Sequence, residues 1–308
     1  MPNANLIATE AADAAQIRLE ERFSLKNINR SVEDEIQNNP DNKSKIAAGV
    51  ILLKAWISQS YYPSKDARLR QLDPLSFEQL VNEVFTTVAY CQKPVPFVSV
   101  AGYLAMRMGF DSHVDSIKTV AEVIAVLCST DAFDINKPDK KESLEVVSKL
   151  QLSDGLMKRL EECHFITPMI SPPEIVTNNF QSAYLTYNES LILGSNNNHV
   201  GDICLDVINR QNSVQLTLNE AFLNTVPEIP RHEIDTAKKL SEWNQFLTES
   251  RDVYALMLAA GNKFYLTNNV DKRGRLYARG YHISTQGTPY KKAMLELAHQ
   301  ELVTGVPA

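Results

Sequence analysis

A chain of 308 residues, 44% hydrophobic and 22% charged, is long enough to bury a sizeable core and is expected to form about two domains. It has no run of about 18 apolar residues, and its first residues lack the basic-then-apolar order of a secretory signal, so we expect a cytoplasmic protein without membrane spans. The net charge of −6 argues against a protein that coats nucleic acid over its whole surface, because phosphate binding depends on clustered Lys and Arg.

The predicted elements begin with a polar arm over residues 1–44, whose last part holds too much Asn, Asp and Lys to bury much surface. From Lys45, the run KIAAGVILLKAWI is apolar nearly all round, which predicts a buried helix. Three more helices are predicted within residues 74–128, with a Lys-Pro-Val-Pro break after the first. A loop at residues 134–139 and another helix that reaches Cys163 follow.

The middle of the chain has a different character. The prolines of the run PMISPP, residues 168–173, rule out regular helix, and short strands or extended loops are expected from there to residue 194. Helices resume near Asp202 and Thr217, and residues 231–260 predict a long helical stretch or a helix pair. Together these elements predict a mainly α fold with a few short strands.

The cysteines show no metal-binding pattern. They lie 35 to 41 residues apart, without a C-x-x-C pair or a histidine pair at zinc-ligand spacing. We therefore expect buried free thiols at Cys91, Cys128, Cys163 and Cys204. We also expect no metal bound by this chain.

Positive charge is concentrated near the carboxyl end. Residues 271–308 hold six basic and three acidic residues, a net charge of +3, which leaves −9 for residues 1–270. Read as a strand, residues 275–282 have a small, mostly apolar face and a basic, aromatic face with Arg275, Tyr277, Arg279 and Tyr281. Guanidinium and ring groups on one face suit a nucleic-acid backbone with its sugars and bases.

The residues that flank this strand fit the same interpretation. Gly274 permits a turn or a close approach of backbone to ligand, and Asp271 is expected to pair with an arginine of the turn in a structural role. Downstream, Thr288 suits a helix N-cap and the following proline suits the first helical position. Lys291 and Lys292 then fall in the first turn, where the helix dipole disfavours cations unless a phosphate binds there. The alternative is a solvated basic hairpin, which the charge run alone would favour.

The motif D-K-R-G-R-L-Y, from Asp271 to Tyr277, resembles the D-x-x-G-R-x-Y signature of the single-subunit RNA polymerases of bacteriophages and mitochondria. The similarity continues through Gln286-Gly287 and the run K-A-M-L-E-L-A from Lys292, which is similar to the lysine-bearing helix at the start of that family's palm. Weaker similarity extends over residues 75–308.

This resemblance implies four parts of the chain: an arm at residues 1–44, a helical amino-terminal polymerase domain at 45–230, reduced thumb-like helices at 231–262, and at 263–308 the β-hairpin and helix that begin the palm. It places Arg275 and Tyr277 near the template and the RNA–DNA hybrid, with Lys292 as a backbone or nucleotide contact. The implied nucleic-acid-binding residues are Arg273, Gly274, Arg275, Tyr277, Arg279, Lys291 and Lys292.

The resemblance also implies that the chemistry lies outside this chain, which is then either a fragment or, as we favour, one subunit of a split enzyme. Nucleotidyl transfer needs two carboxylates that hold two metal ions, and the family places them beyond Ala308, so no catalytic residue is expected here. Within the family, the chain resembles the smaller subunit of the two-chain RNA polymerases of N-four-like phages. This implies a larger subunit with palm, fingers and Mg²⁺, no activity of this chain alone, and residence in the cytoplasm of an infected bacterium. Template DNA, the RNA–DNA hybrid and an initiation factor that binds single-stranded DNA are the other implied partners.

Two alternatives stay open at the level of sequence. A non-catalytic DNA-binding regulatory module could retain the same fold, although the acidic remainder of the chain disfavours strong independent DNA binding. Alternatively, residues 281–308 serve mainly to dock a partner through Met294, Leu297 and Leu302, although apolar stripes of this kind usually pack inside their own chain.

Overall fold

The computed structural model describes residues 4–107, 110, 112–138, 143–162, 165–194, 199–300 and 305. The chain divides into two compact units. The helical unit comprises residues 28–162, and the hairpin unit comprises residues 1–27 together with 163–308. The predicted boundaries at residues 44, 230 and 262 separate polymerase domains. The division into two compact units does not test them, so these boundaries stay predictions.

The helices in chain order are α1 (Ala4–Phe23), α2 (Leu25–Asn38), α3 (Pro40–Ile57), α4 (Pro63–Leu69), α5 (Phe77–Ala89), α6 (Phe97–Ala105), α7 (His113–Leu127), α8 (Asp154–Glu162), α9 (Leu205–Asn212), α10 (Glu220–Thr225), α11 (Ala237–Ala259) and α12 (Pro289–Ala293). The strands are β1 (Val95–Pro96), β2 (Phe133–Asn136), β3 (Glu145–Ser148), β4 (Ile192–Leu193), β5 (Gln215–Leu218), β6 (Phe264–Tyr265), β7 (Asn268–Asp271), β8 (Leu276–Ala278) and β9 (Leu295–Leu297). The expected mainly α fold with a few short strands is confirmed.

The core of the helical unit lies where α3, α5 and α7 pack together. A Cβ added at Gly49 of α3 would lie 2.9 Å from Leu127 Cδ2 of α7, so the missing side chain lets the two helices approach. The helix predicted for the run LSFEQLVNEVFTTVAYC is confirmed as α5, which begins after its N-cap Ser76. Its predicted apolar stripe is buried at Leu80, Val81, Val84, Phe85 and Val88.

One face of α3 is exposed, contrary to the prediction of a helix buried all round. Ile46, Gly49 and Leu53 are buried at the three-and-four spacing of a single face. Ile51, on another face, is 67% exposed. Apolar composition alone therefore overstated how much of this helix is covered.

Two segments of the helical unit form strands where loop or helix was predicted. The start of the predicted loop at residues 134–139 lies in β2, and the first part of the helix predicted before Cys163 is β3; only α8 is helical there. The sheet order is β1-β3-β2, all antiparallel, with Ile135 opposite Val146. Adjacent β-branched valines in β3 favour this extended pairing over helix.

Residues 4–44 lie mostly in α1, α2 and the start of α3 rather than in a purely polar arm. Ile28, Val32 and Ile36 are buried at a spacing of four residues, so polar composition concealed an amphipathic helix. In the hairpin unit, the fully buried Glu20 of α1 accepts hydrogen bonds from the backbone N–H groups of Leu185 and Thr186 at 3.1 and 2.8 Å. These bonds tie α1 to the extended segment after the prolines.

Two three-stranded sheets are formed by the described residues of the hairpin unit. One has the order β4-β7-β8, in which β4 and β7 are parallel and β7 and β8 antiparallel; the other, β6-β5-β9, is antiparallel. A buried cluster joins the second sheet to the carboxyl half of α11. Its members are Leu216, Leu218, Tyr254, Met257, Phe264, Leu266, Ile283 and Met294. The long helical stretch predicted at residues 231–260 is confirmed as α11.

The helix predicted after Thr288 is shorter than expected. The Thr288 hydroxyl accepts from the Lys291 N–H and Pro289 occupies the first turn, as predicted, but α12 ends at Ala293. Leu295–Leu297 then forms β9, which pairs with β5. Similarly, a helix was predicted from Thr217, but Thr217 and the next residue belong to β5, and α10 starts only at Glu220. Non-local pairing between these two segments overrides their local helical pattern.

No helix among the described residues combines the length and apolar character that crossing a bilayer requires.

Candidate nucleic-acid interface

The D-x-x-G-R motif forms the tip of an antiparallel hairpin, which we call the basic hairpin (β7, the turn at residues 272–275, and β8). Asn269 lies opposite Tyr277, and Val270 opposite Leu276. Gly274 has φ of +77°, a left-handed conformation that glycine adopts at little cost. A Cβ there would meet no atom within 4 Å, so the turn needs glycine for its backbone conformation rather than for space within this chain.

Asp271 organises the turn. Its Oδ1 accepts from the backbone N–H groups of Arg273 and Arg275 at 2.9 and 3.0 Å. Its Oδ2 lies 2.6 Å from Arg275 Nη2 and 3.4 Å from Arg273 Nε. Desolvation by itself would raise the pKa of Asp271, but the hydrogen bonds from Arg275 and Arg273 outweigh it and hold this pKa below its usual value. The carboxylate is therefore charged and fully occupied within the turn.

The arginine side chains of the turn remain available to an external ligand. The side chains of Arg273 and Arg275 are 66% and 53% exposed although both contact Asp271. The guanidinium carbon of Arg275 lies 5.6 Å from the ring centroid of Tyr277, on the same face of the hairpin. Residues 271–275 hold one carboxylate and three cationic side chains, so the tip carries excess positive charge.

Arg279 does not extend this exposed face. The strand ends at Ala278, and the guanidinium of Arg279 forms an ion pair with Glu189 and lies 5.2 Å from the ring centroid of Tyr184. Its backbone N–H donates to the Thr267 carbonyl at 2.7 Å. The alternating pattern therefore predicted the exposed cation correctly at Arg275 but not at Arg279, because a partner distant in sequence holds the second side chain.

Lys291 is also directed into the protein. It is 8% exposed, its ammonium donates to the Tyr281 carbonyl, and it lies 5.1 and 4.9 Å from the ring centroids of Phe246 and Tyr281. Burial lowers the pKa of this ammonium, and the nearby Glu228 opposes the shift. This placement argues against the predicted direct contact between Lys291 and a phosphate. Lys292, its neighbour, is exposed.

The structure shows a role for Gln286 and Gly287, which the family resemblance included only as motif residues. Gln286 Nε2 donates to the Leu276 carbonyl at 2.8 Å, and its Oε1 accepts from the Ala278 N–H at 3.1 Å. This side chain thus covers the outer edge of β8. A Cβ at Gly287 would lie 2.7 Å from Lys291 Cδ, so glycine makes room for the buried lysine.

An aromatic cluster that the sequence patterns did not indicate lies beyond the basic hairpin. Tyr281 stacks on Phe165, with ring centroids 3.8 Å apart and an interplanar angle of 14°. Phe246 contacts Tyr281 edge-on at 5.9 Å and stacks on Trp243 at 5.3 Å. Phe165 and Trp243 are far from the motif in sequence, and only folding brings them to it.

The site residues thus separate into three groups. Arg273, Gly274, Arg275 and Tyr277 lie together on the basic hairpin, with Asp271 in the turn. Arg279 and Lys291 are engaged in contacts within the chain, and Lys292 is exposed on α12.

The predicted partner-docking residues and cysteines also fall into different environments. Met294 is fully buried in the core of the hairpin unit, Leu297 is 58% exposed, and Leu302 lies outside the described residues. Cys91 is buried as predicted, and burial raises the pKa of its thiol to about 11. The prediction is wrong for Cys204, which is exposed, and Cys128 is partly buried; Cys163 lies outside the described residues.

Among the described residues, no three His, Cys, Asp or Glu side chains come together in a way that could hold a metal ion. The residues described here therefore do not fit the Mg²⁺ ions that nucleotidyl transfer requires.

Comparison with known proteins relates part of the chain to a polymerase. The chain is 24% identical, over 139 residues, to a probable DNA-directed RNA polymerase of Gelasinospora sp. (strain G114). The match covers 42% of this chain and 17% of that protein. No family model matches the chain. The match supports a relation to DNA-directed RNA polymerases; the phage-type branch and the two-chain organisation stay predictions.

Proposed function

We propose that this chain is a subunit of a DNA-directed RNA polymerase, in which the basic hairpin binds the template strand and the RNA–DNA hybrid. The proposed enzyme is of the phage and mitochondrial single-subunit type, and the chain corresponds to the smaller subunit of the two-chain enzymes of N-four-like phages. Metal-dependent nucleotidyl transfer then belongs to a larger partner subunit, in the cytoplasm of the infected bacterium. An initiation factor that binds single-stranded DNA is proposed as a further partner.

The observation that carries the proposal is the ordered, positively charged tip of the basic hairpin. Asp271 fixes the backbone of the turn through two N–H groups, while the side chains of Arg273 and Arg275 stay more than half exposed. A guanidinium held in place loses little entropy when it binds a phosphate, and it presents several donors to the oxygen atoms. The sequence match to a DNA-directed RNA polymerase supports the same assignment.

The role of each residue follows from its place. Arg275 and Arg273 bind backbone phosphates, and Tyr277, beside Arg275, contacts a sugar or base. Asp271 is a positioning residue because its carboxylate is occupied by the turn. Lys292 supplies a further exposed cation, whereas Arg279 and Lys291 support the fold around the site.

The deciding experiment is purification of the tagged full chain from its native source with identification of the bound protein, followed by assay of Mg²⁺-dependent RNA synthesis on single-stranded DNA. We expect a larger co-purifying chain and activity of the complex only. Replacing Arg275 and Tyr277 by alanine should lower that activity at least tenfold, whereas Arg70→Ala, an exposed arginine of the helical unit, should not. Full activity of the double variant would contradict the assigned site, and tight DNA binding without such a partner would favour a regulatory module instead.

A further inference from the structure

Two stacked aromatic side chains beyond the basic hairpin are both exposed. Phe165 and Tyr281 are 40% and 44% exposed although their rings stack on each other. Because the facing sides of the two nearly parallel rings cover each other, the exposed area lies on other parts of the two side chains. Large aromatic groups left open to water in this way often mark a binding site.

Neighbouring side chains of the hairpin unit contact Tyr281. Phe246 and His282 contact the Tyr281 ring edge-on, at 5.9 and 4.9 Å between ring centroids. The Lys291 ammonium donates to the Tyr281 backbone carbonyl and lies 4.9 Å from the centroid of its ring. His282 is itself fixed by a 2.9 Å hydrogen bond between its Nδ1 and the Ser250 hydroxyl. The pair is therefore a platform that neighbouring side chains support at Tyr281.

The platform also lies within reach of a strand that contacts the basic hairpin. Arg275 and Tyr281 are six positions apart, which corresponds to at most about 20 Å of extended chain. Stacked nucleotides of one strand are spaced by about 3.4 Å, so one strand of a few nucleotides can bridge the two places. A positively charged element followed by aromatic rings is the combination with which proteins bind single strands.

From this arrangement we propose that the Phe165–Tyr281 pair is a base-stacking platform for an unpaired base of single-stranded DNA whose phosphates bind the basic hairpin. The proposal rests on the proposed function, because it takes the strand from that site. Lys291 acts beneath the platform as a positioning residue through its contacts with Tyr281. A base is preferred over an apolar peptide side chain because the adjoining hairpin tip is positively charged and each base has a polarisable ring face.

The test is fluorescence anisotropy of a labelled 15-nucleotide oligo-dT with the full 308-residue chain, at several salt concentrations. Stacking contributes about 1–3 kcal/mol per base, so Phe165→Ala and Tyr281→Ala should each weaken binding by about 5- to 150-fold. Tyr281→Phe should recover affinity relative to Tyr281→Ala, because it restores the ring. Phe180→Ala, which removes a ring that is 52% exposed elsewhere in the hairpin unit, should leave affinity unchanged.

Salt dependence separates the platform from the hairpin. Loss of a ring should leave the slope of log affinity against log salt unchanged, whereas Arg275→Ala should reduce it by about 0.7. Unaltered affinity in Phe165→Ala, with weaker binding in Arg275→Ala, would overturn the platform and leave the proposed function standing. Ring-dependent binding of oligo-rU but not oligo-dT would overturn the assignment to DNA, and failure of the unaltered chain to bind oligo-dT would overturn the platform. Melting curves of both alanine variants identify a loss of fold, and the second variant still tests the proposal if one is unfolded.

Discussion

Gln286 provides a specific test of how the basic hairpin is held. Its side chain donates to the Leu276 carbonyl at 2.8 Å and accepts from the Ala278 N–H at 3.1 Å, at the edge of β8 that no other strand covers among the described residues. Gln286→Leu keeps much of the side-chain volume and removes both hydrogen bonds. We expect β8 to open more often while the rest of the hairpin unit stays folded.

The size of the effect follows from two hydrogen bonds in an exposed setting. Each protein hydrogen bond contributes about 0.5–1.5 kcal/mol net, and water can replace part of that contribution because Gln286 is exposed. We therefore expect about 1 kcal/mol in total, which corresponds to about a fivefold increase in local opening, since 1.4 kcal/mol is tenfold. Global stability should change by less than this, because local opening is a separate equilibrium.

The assay is amide hydrogen exchange of Ala278 measured by NMR. Protection should fall about fivefold in Gln286→Leu, whereas Gln286→Glu should retain more of it, because a carboxylate still accepts from Ala278 but cannot donate to Leu276. Gln211→Leu, an exposed glutamine at the end of α9, serves as the control. Unchanged protection of Ala278 in Gln286→Leu, with the fold intact, would refute the claim that this side chain holds the strand.

Three further predictions follow from glycine positions and a buried ammonium. Gly274→Ala should destabilise the hairpin by about 1–2 kcal/mol because φ is +77°, whereas Gly102→Ala, in a helix with open space around it, should be neutral or stabilise by up to about 1 kcal/mol in urea unfolding. Gly287→Ala should cost about 1–3 kcal/mol in the same measurement, because its Cβ would lie 2.7 Å from Lys291 Cδ; equal stability would contradict the close packing. Burial lowers the pKa of Lys291 in the folded chain, whereas in the unfolded chain this pKa is about 10.4. Between the two values the unfolded chain binds more protons, so the free energy of unfolding should rise with pH across this window. The rise should be smaller in Lys291→Met.

Local patterns predicted α5, α7 and α11 because apolar side chains recur there at helical spacing between clear start and stop signals. They failed at β3, β5 and β9, which are short segments of three or four residues. In such segments a helix and a strand bury similar side chains, and the choice depends on a partner strand that lies elsewhere in the chain.

The candidate site shows the same division. The D-x-x-G-R motif located the turn, because glycine and aspartate have defined local roles there. The pattern did not reveal that Arg279 pairs with Glu189 or that Lys291 is buried under Tyr281. The Arg279 contact joins segments that are far apart in sequence. The Lys291 contact depends on how the short α12 directs this side chain towards Tyr281.

By itself, the sequence determined the mainly α character of the chain, the position of the turn at Gly274 and the local excess of positive charge, since these depend on composition and near neighbours. Tertiary structure decided which of the basic side chains face solvent. The physical reason is that burial of a cation is tolerated only where distant groups supply hydrogen bonds, rings or a carboxylate. Glu189 supplies the carboxylate for Arg279, and Tyr281 and Phe246 supply the rings for Lys291. Arg273 and Arg275, whose only described ionic partner is local, stay exposed at the tip of the basic hairpin.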